Sequence, residues 1–406
     1  MDCSDSFFSW VRTNANADPM ALRLKYAGKK DSFDYRGAIT QIECRRKFGR
    51  KLQQTLASFA DFYFPSVLSG EQASSDLLAE YHASLVPEGV SVVDFTSGLG
   101  IDALHMARRA ASVVAVERNP DLNDALRYNA KGLHLEDNIE TVCDDCVEFI
   151  DACIANGRRF DIGFIDPARR GTDGERLYAL SDCSPNVVAL LPKIARICRM
   201  LVIKASPMLD ISHTVAVLPV RPSSVAAAGT ASECKELVIT IVFEGEKSSQ
   251  TIIESITLLA DGAQTFAFTT CQENKAPTIP SSPAIKTGDT ICEPYPAIMK
   301  AGAFRILAQR FGLRGFHDNT RLLFTSVPPT GFPGTLWHVD EVLPYSSSVI
   351  KRFKSRWPAI SIVTRNFGIS ADALRSRLGV RESPGSMKLF AVTGPTGDKI
   401  LIITSR

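Results

Sequence analysis

The stretch Val92-Val93-Asp94-Phe95-Thr96-Ser97-Gly98-Leu99-Gly100 reads as a buried strand that breaks into a glycine turn and opens a helix. A second stretch, Phe164-Ile165-Asp166-Pro167-Ala168-Arg169-Arg170, reads as another buried strand ending in an acid and a proline. The separation from Asp94 to Asp166 leaves room for two intervening strand–helix units. Both sites then fall at the carboxyl edge of one parallel sheet, which is where open α/β sheets bind ligands. The expectation is a nucleotide-like cofactor at the first site and chemistry at the second.

The glycine turn alone is ambiguous, because Gly98-Leu99-Gly100-Ile101-Asp102-Ala103 also fits the dinucleotide pattern. Asp94 stands just before the turn, where it would repel a pyrophosphate but welcome a cationic amino-acid moiety. Glu117 ends the next strand, Ser112-Val113-Val114-Ala115-Val116-Glu117, and is placed to accept hydrogen bonds from ribose hydroxyls. A dinucleotide enzyme often carries an acid there too, so Glu117 does not discriminate. Asp145 follows the third strand, where an adenine amino group can be held. The fourth strand ends in Asp166-Pro167, which hydride transfer does not need.

This ordered set resembles the class I S-adenosylmethionine-dependent methyltransferases. Asp166-Pro167-Ala168-Arg169 is similar to the Asp-Pro-Pro-aromatic signature of enzymes that methylate nucleobase amino groups. Further stretches resemble one bacterial methyltransferase family with a THUMP-like C-terminal domain: Glu71–Ser75, Lys204–Asp210, Glu233–Glu236, Glu293–Gly302 and Thr364–Phe367. The resemblance runs from roughly residue 40 to the end. It implies a Rossmann-like doubly wound α/β domain with a closing β-hairpin, S-adenosylmethionine as cofactor and RNA as substrate. The cofactor set is then Asp94, Thr96, Ser97, Gly98, Gly100, Glu117, Arg118, Asp145 and Cys146.

The sulfonium methyl of that cofactor is already activated, so catalysis reduces to aligning an acceptor for in-line attack. An exocyclic amine is a poor nucleophile because its lone pair is delocalised into the ring. A carboxylate and a backbone carbonyl that accept its N–H bonds localise that pair. Asp166 and the carbonyl of Pro167 are the candidates. Ala168 stands in place of the second proline, and Arg169 in place of the aromatic that stacks on the target base. A guanidinium can stack on a base, grip a phosphate, or make a structural ion pair. Arg169, Arg170 and Lys204 are therefore candidate substrate contacts, and the departure leaves open whether the acceptor is a base amine.

Composition is that of an ordinary globular protein: 406 residues, 45% hydrophobic and 22% charged. No apolar run approaches the ~18 residues that span a bilayer, and the first residues carry no signal-peptide pattern. Ten cysteines scattered without a frame suit a reducing compartment, so the expected location is cytoplasmic. The net charge of +2 hides an asymmetry. From Glu293 to Arg406 there are 16 Lys and Arg against 7 Asp and Glu, a balance of +9, which leaves −7 for the rest. The densest basic run is Lys351-Arg352-Phe353-Lys354-Ser355-Arg356-Trp357. Lys351, Arg352, Lys354 and Arg356 can contact RNA phosphates, with the two aromatics stacking on unpaired bases. The alternative is an amphipathic helix with Phe353 and Trp357 facing the core.

Along the chain, residues 1–30 lack sustained periodicity and are expected to be loosely held. Helical patterns run from Tyr35 to Ala57 and from Ser75 to Leu85. Lys235–Phe243 and Thr251–Leu259 read as the closing hairpin, and 262–292 as a linker or extended connection. The expected division is an N-terminal helical region (1–86), a methyltransferase domain (87–265), a linker (266–292) and an α+β substrate-binding region (293–406). Cys143-Asp144-Asp145-Cys146 has CxxC spacing but no second ligand pair nearby, and the six histidines look isolated. No metal is assigned, and no Ser-His-Asp arrangement is suggested by order. The competing functions are a non-catalytic RNA-binding protein on the same scaffold and a methyltransferase for a protein or small molecule.

Overall fold

The computed structural model describes residues 1–29, 33–169, 180–245, 249–281, 284–317, 319–383 and 385–406, with Arg169 described by its backbone. The chain divides into two compact units, 1–224 with 237–249, and 225–236 with 250–406.

In the first unit, β1 (Ser91–Asp94), β2 (Ser112–Val116), β3 (Ile139–Val142), β4 (Phe160–Ile165) and β5 (Cys198–Ala205) run parallel. Two further strands follow, β6 (Ser224–Thr230) and β7 (Cys234–Val242), and β7 pairs antiparallel with β5. The division between the units falls inside β6 and β7. The parallel strands stand in the order β5-β4-β1-β2-β3, so successive crossovers leave β1 in opposite directions. The resulting switch point between β1 and β4 is where a doubly wound sheet opens a crevice. Asp94 is in register with Phe164, which brings the Asp94 and Asp166 strand ends side by side. Val92 and Val93 are both fully buried although they face opposite sides of the sheet, the mark of a central parallel strand covered on both faces.

Residues 1–29 are not loosely held. Helices Asp5–Thr13 and Pro19–Tyr26 start at capping residues Ser4 and Asp18, whose side chains accept backbone N–H bonds. Phe7, Phe8, Val11 and Leu22 pack with Ile39, Ile42 and Tyr63 in one buried cluster. The apolar residues are few but large, and an aromatic cluster needs little periodicity to bury its area. The helical pattern expected from Tyr35 to Ala57 is two helices, Tyr35–Phe48 and Gln53–Ser58.

The expected hairpin is also corrected. Strand β8 (Ile252–Leu259) pairs with β9 (Gly262–Thr269) across the short Ala260–Asp261 turn, and not with β7. The 262–292 segment thus holds β9 and a helix, Thr270–Lys275, capped reciprocally by Thr269 and Gln272. A seven-stranded sheet makes up much of the second unit. Its closing hairpin pairs Met387–Thr393 with Lys399–Ser405, and helix Ala371–Leu378 runs from its Ser370 cap to left-handed Gly379.

Gly98 and Gly100 turn the chain from β1 into helix Ile101–Met106 with φ of 54° and 84°. A Cβ on Gly98 would meet nothing within 4 Å, whereas one on Gly100 would lie 2.2 Å from Leu126 Cδ1. Gly98→Ala should therefore cost only the left-handed strain of about 1 kcal/mol. Gly100→Ala should cost about 2–4 kcal/mol, because overpacking against a buried leucine adds to that strain. Urea unfolding of the two variants checks the difference, and equal midpoints would mean that Leu126 does not set this turn.

Candidate active site

The loop after β1 is tied to its neighbours by its backbone. Phe95 N–H donates to Phe164 O at 2.9 Å, and Ser97 N–H to Val116 O at 3.0 Å. The Ser97 hydroxyl donates to the same Val116 carbonyl. Thr96 bridges back to both acids: its N–H donates to Asp94 Oδ1 at 3.1 Å, and its Oγ1 accepts the Asp166 N–H at 2.7 Å. Glu117 closes the loop from the β2 side, where Oε2 accepts the Gly98 N–H at 2.9 Å and Oε1 the Asn119 N–H at 2.8 Å. Each carboxylate oxygen has a second lone pair, so these bonds orient Glu117 without exhausting it as an acceptor. Asp145 is exposed and caps helix Cys146–Asn156 by accepting the Val147 N–H at 2.8 Å. Cys146 is buried and its thiol is pushed up to about 11 by that burial, so it lines the turn as an apolar group. Arg118 is exposed.

Asp94 is 1% exposed. Burial pushes its carboxyl well above the ordinary range, the Thr96 N–H bond opposes this, and the charges of Asp102, Asp166 and Glu117 add to it. Such a group is stabilised by any cation that arrives beside it.

Asp166 and Pro167 follow β4, and Pro167 is buried while Asp166 is half-buried. Lys204 lies near the end of β5 and donates from Nζ to Asp166 Oδ2 at 2.5 Å. The same Nζ donates to Ser74 Oγ at 3.1 Å. Ser74 in turn donates to Asp102 Oδ2 at 2.6 Å, and His82 Nδ1 sits 2.7 Å from Asp102 Oδ1. A polar chain therefore runs Asp166–Lys204–Ser74–Asp102–His82, from the half-buried sheet edge into the buried interior. Burial raises the Asp102 carboxyl, but His82, Lys204 and Ser74 outweigh it and hold the group below the usual carboxylate range. Beside the chain, Asp76 accepts from Thr55 and Gln54 and pairs with buried His105 at 3.2 Å.

Sequence reasoning misses Ser74, His82 and Asp102 as site residues. Their only signal is Ser74's place in the Glu71–Ser75 stretch. The structure brings Ser, His and Asp together in an order unlike a nucleophilic triad: the serine proton goes to the carboxylate, not to the imidazole. His105 has the structural role expected of it. Among the described residues no group of His, Cys, Asp and Glu could hold a metal, the CxxC pair included. Arg170 lies outside the described residues, and Arg169 pairs by its backbone with Cys183.

The basic run of the second unit forms helix Ser347–Arg356. Phe353 is 1% exposed, and Trp357 packs on it with ring centroids 4.8 Å apart. The two aromatics face the core and are not presented to bases, as four-residue spacing on one helix face dictates. Arg356 forks onto both oxygens of Glu341, while Lys351, Arg352 and Lys354 are exposed.

Three family models match the chain: conserved hypothetical protein 95 over residues 78–177, a ferredoxin-like domain over 291–333 and a THUMP domain-like model over 334–406. The fold is that of a Rossmann-like methyltransferase carrying a THUMP-like C-terminal domain. The chain belongs to the same family as the solved "putative methyltransferase from Porphyromonas gingivalis W83", to which it is 30% identical. The match covers 99% of this chain and 97% of that one, with a TM-score of 0.87. An uncharacterized RNA methyltransferase of Mycoplasma mobile is 30% identical over 101 residues, which is 25% of this chain and 27% of that relative's length. A solved RNA methyltransferase from Salinibacter ruber, in complex with S-adenosyl-L-homocysteine, is 18% identical over 44% of this chain and 97% of its own, with a TM-score of 0.31. No helix among the described residues is long and apolar enough to cross a membrane.

Because Asp102 titrates lower in the folded chain than when unfolded, its contribution to stability is fully present above about pH 4 and fades as pH falls below it. Asp102→Asn should lose about 3–5 kcal/mol at pH 7, since buried His82 loses the carboxylate it pairs with and the Ser74–Lys204 link loses its anchor. The gap between wild type and variant should shrink at pH 3. Denaturant titrations at the two pH values check this, and a gap that does not change with pH would show that Asp102 carries no charge in the fold.

Proposed function

We propose that this protein is an S-adenosylmethionine-dependent methyltransferase acting on a base nitrogen of RNA. One observation carries the reading: Asp166, oriented by Thr96 and Lys204, stands one strand from the Gly98 turn and its Glu117 brace. The residues present fit the cofactor. The space beside Gly98 is open, Asp94 is a buried carboxyl that a cation would relieve, and Glu117 is a fixed acceptor at the next strand end. Asp94 would hold the amino-acid ammonium, Glu117 the ribose hydroxyls and Asp145 the adenine amine, with Arg118 and Cys146 alongside. The bound cofactor supplies an electrophilic methyl group on a sulfonium.

The chain's own task is to present the acceptor nitrogen. Asp166 and the Pro167 carbonyl accept the amine N–H bonds, which concentrates the lone pair on nitrogen and stabilises the charge it gains on methylation. Lys204 occupies Oδ2 of Asp166, so the carboxylate orients the amine through its remaining lone pairs, and the methylated nitrogen loses its proton to solvent after transfer. Through Ser74, the Lys204 ammonium is braced against Asp102, which fixes the direction of the Asp166 carboxylate. The excess of cations in residues 293–406 supplies attraction for a polyanion.

Two measurements test this. Cofactor binding should release a proton, because a cation beside Asp94 favours its ionised form. Affinity should therefore rise with pH above the ordinary carboxylate range and level off once Asp94 is ionised in the free protein as well. Calorimetry in buffers of different ionisation enthalpy reads that proton, and Asp94→Asn should abolish it. With labelled cofactor and RNA from cells lacking the gene, Asp166→Asn should cut methyl transfer about a hundredfold or more while leaving cofactor affinity nearly intact. Nucleoside mass spectrometry that finds the methyl on carbon or oxygen would overturn the amine mechanism. Cofactor binding without transfer would favour the scaffold alternative.

A further inference from the structure

A cavity of about 560 Å³ lies within the second unit, lined by residues of 225–236 and 250–406 alone. Four cations line it, Arg321, Arg365, Lys388 and Arg406, against one carboxylate, Glu293. That carboxylate is already committed: Glu293 Oε2 accepts from Lys388 Nζ at 2.8 Å and from Trp337 Nε1 at 3.0 Å. Among the described residues, Arg321, Arg365 and Arg406 have no carboxylate partner. Three guanidinium groups on this wall therefore have no side-chain carboxylate within reach among the described residues, and an anion shared between them would be attracted by all three. One of them sits on constrained backbone, and a second borders such a position. Arg321 has φ of 48°, and Arg365 precedes Asn366, whose φ is 51°. Non-glycine residues enter this region only when their surroundings hold them there, so such positions point to a site.

The cavity also offers an apolar and aromatic floor. Tyr295 is half-buried and Met299 is 38% exposed, both on the cavity wall. Lys388 and Arg406 stand 4.3 and 5.5 Å from the Trp337 ring, so the floor carries its cations over an aromatic surface. Guanidinium forks match phosphate oxygens in pairs, while a flat apolar wall suits a base. The volume lies in the range of small-ligand pockets and admits a nucleotide but not a duplex, whose bases are stacked away from such a recess.

We propose that this cavity holds a phosphate-bearing nucleotide unit of single-stranded RNA, with the phosphate on Arg321, Arg365 and Arg406 and the base against Tyr295. It rests on the RNA reading above and gives it an address. The Glu293–Gly302 and Thr364–Phe367 stretches, which share no role in cofactor chemistry, both contribute to this wall. The helix bearing Lys351, Arg352 and Lys354 is by contrast an accessory charged face.

The experiment uses the full chain, a fluorescent ten-nucleotide single-stranded RNA, adenosine monophosphate as free-nucleotide competitor and polyglutamate as a non-nucleic polyanion. Arg365→Gln with Arg406→Gln should weaken RNA binding at least tenfold and lower the log–log salt slope by about 0.7 for each phosphate no longer neutralised. Cofactor affinity and thermal unfolding confirm that the double variant is folded. Lys351→Gln, Arg352→Gln and Lys354→Gln together should cost much less. If the double variant binds RNA as wild type does, the cavity assignment is overturned while the RNA reading stands. If wild type binds no RNA but binds the mononucleotide through Arg365 and Arg406, the RNA reading fails and the site takes a free nucleotide. Displacement of RNA by polyglutamate at equal charge concentration would overturn nucleotide recognition altogether.

Discussion

Asp102 carries a negative charge in a nearly dry interior, and the site depends on how that charge is balanced. A lone buried carboxylate would neutralise itself by taking a proton. Here His82, Ser74 and Lys204 converge on it, so the charge is kept and in turn pins the three groups. Because Lys204 also reaches Asp166, the balance extends to the edge of the sheet. A charged chain of this kind contributes little to net stability compared with an apolar core of the same volume. What it contributes is direction: a half-exposed carboxylate beside a proline holds one orientation only if something behind it is rigid.

Asp94, one helix entry away, is governed by the opposite condition. It has no cationic partner among its principal neighbours, and burial together with three surrounding carboxylates drives it toward the neutral form. Asp94 at the strand end and Asp102 in the following helix thus differ because one awaits compensation from outside and the other is compensated from within the fold. Environments that separate similar groups in this way are a usual sign of divided roles at a site. The loop between them is rigid for a different reason. Its N–H groups are spent on Phe164, Val116, Glu117 and Asp94, so the open space at Gly98 is framed by backbone already satisfied.

The charge asymmetry follows the same logic on a larger scale. The acids that bind and brace the proposed cofactor site accumulate in the first part of the chain. The cations of the last hundred residues divide into paired ones, such as Arg356 with Glu341, and three cavity-wall arginines with no carboxylate partner among the described residues. Counting basic residues along the sequence does not separate the two. In the helix run, dense in sequence, Arg356 alone among the described residues finds an acid across the surface. Residues 321, 365, 388 and 406 are sparse in sequence but share one recess.

Much of the first unit is legible from residues alone. Period and punctuation suffice for Val92–Gly100 and Phe164–Pro167, because a central parallel strand must be apolar on both faces and its end must turn. The acids Asp94, Glu117, Asp145 and Asp166 follow from strand-end position, which the topology fixes once the strands are counted. The Ser370 cap, the Gly379 stop and the final hairpin are local in the same sense. The remainder depends on contacts that no local pattern encodes. Ser74 meets Lys204 across 130 positions, and His82 meets Asp102 across 20, from separate helices. The N-terminal helices are specified by a few aromatics whose partners lie as far away as Tyr63 and Tyr128. Ile252–Leu259 chose the strand after it over the strand before it, although both pairings satisfy alternation. Sequence determined which residues end the strands; only the folded chain decided which charges meet, because Coulomb energy depends on distance in space and on solvent access, and neither is a property of neighbours in the chain.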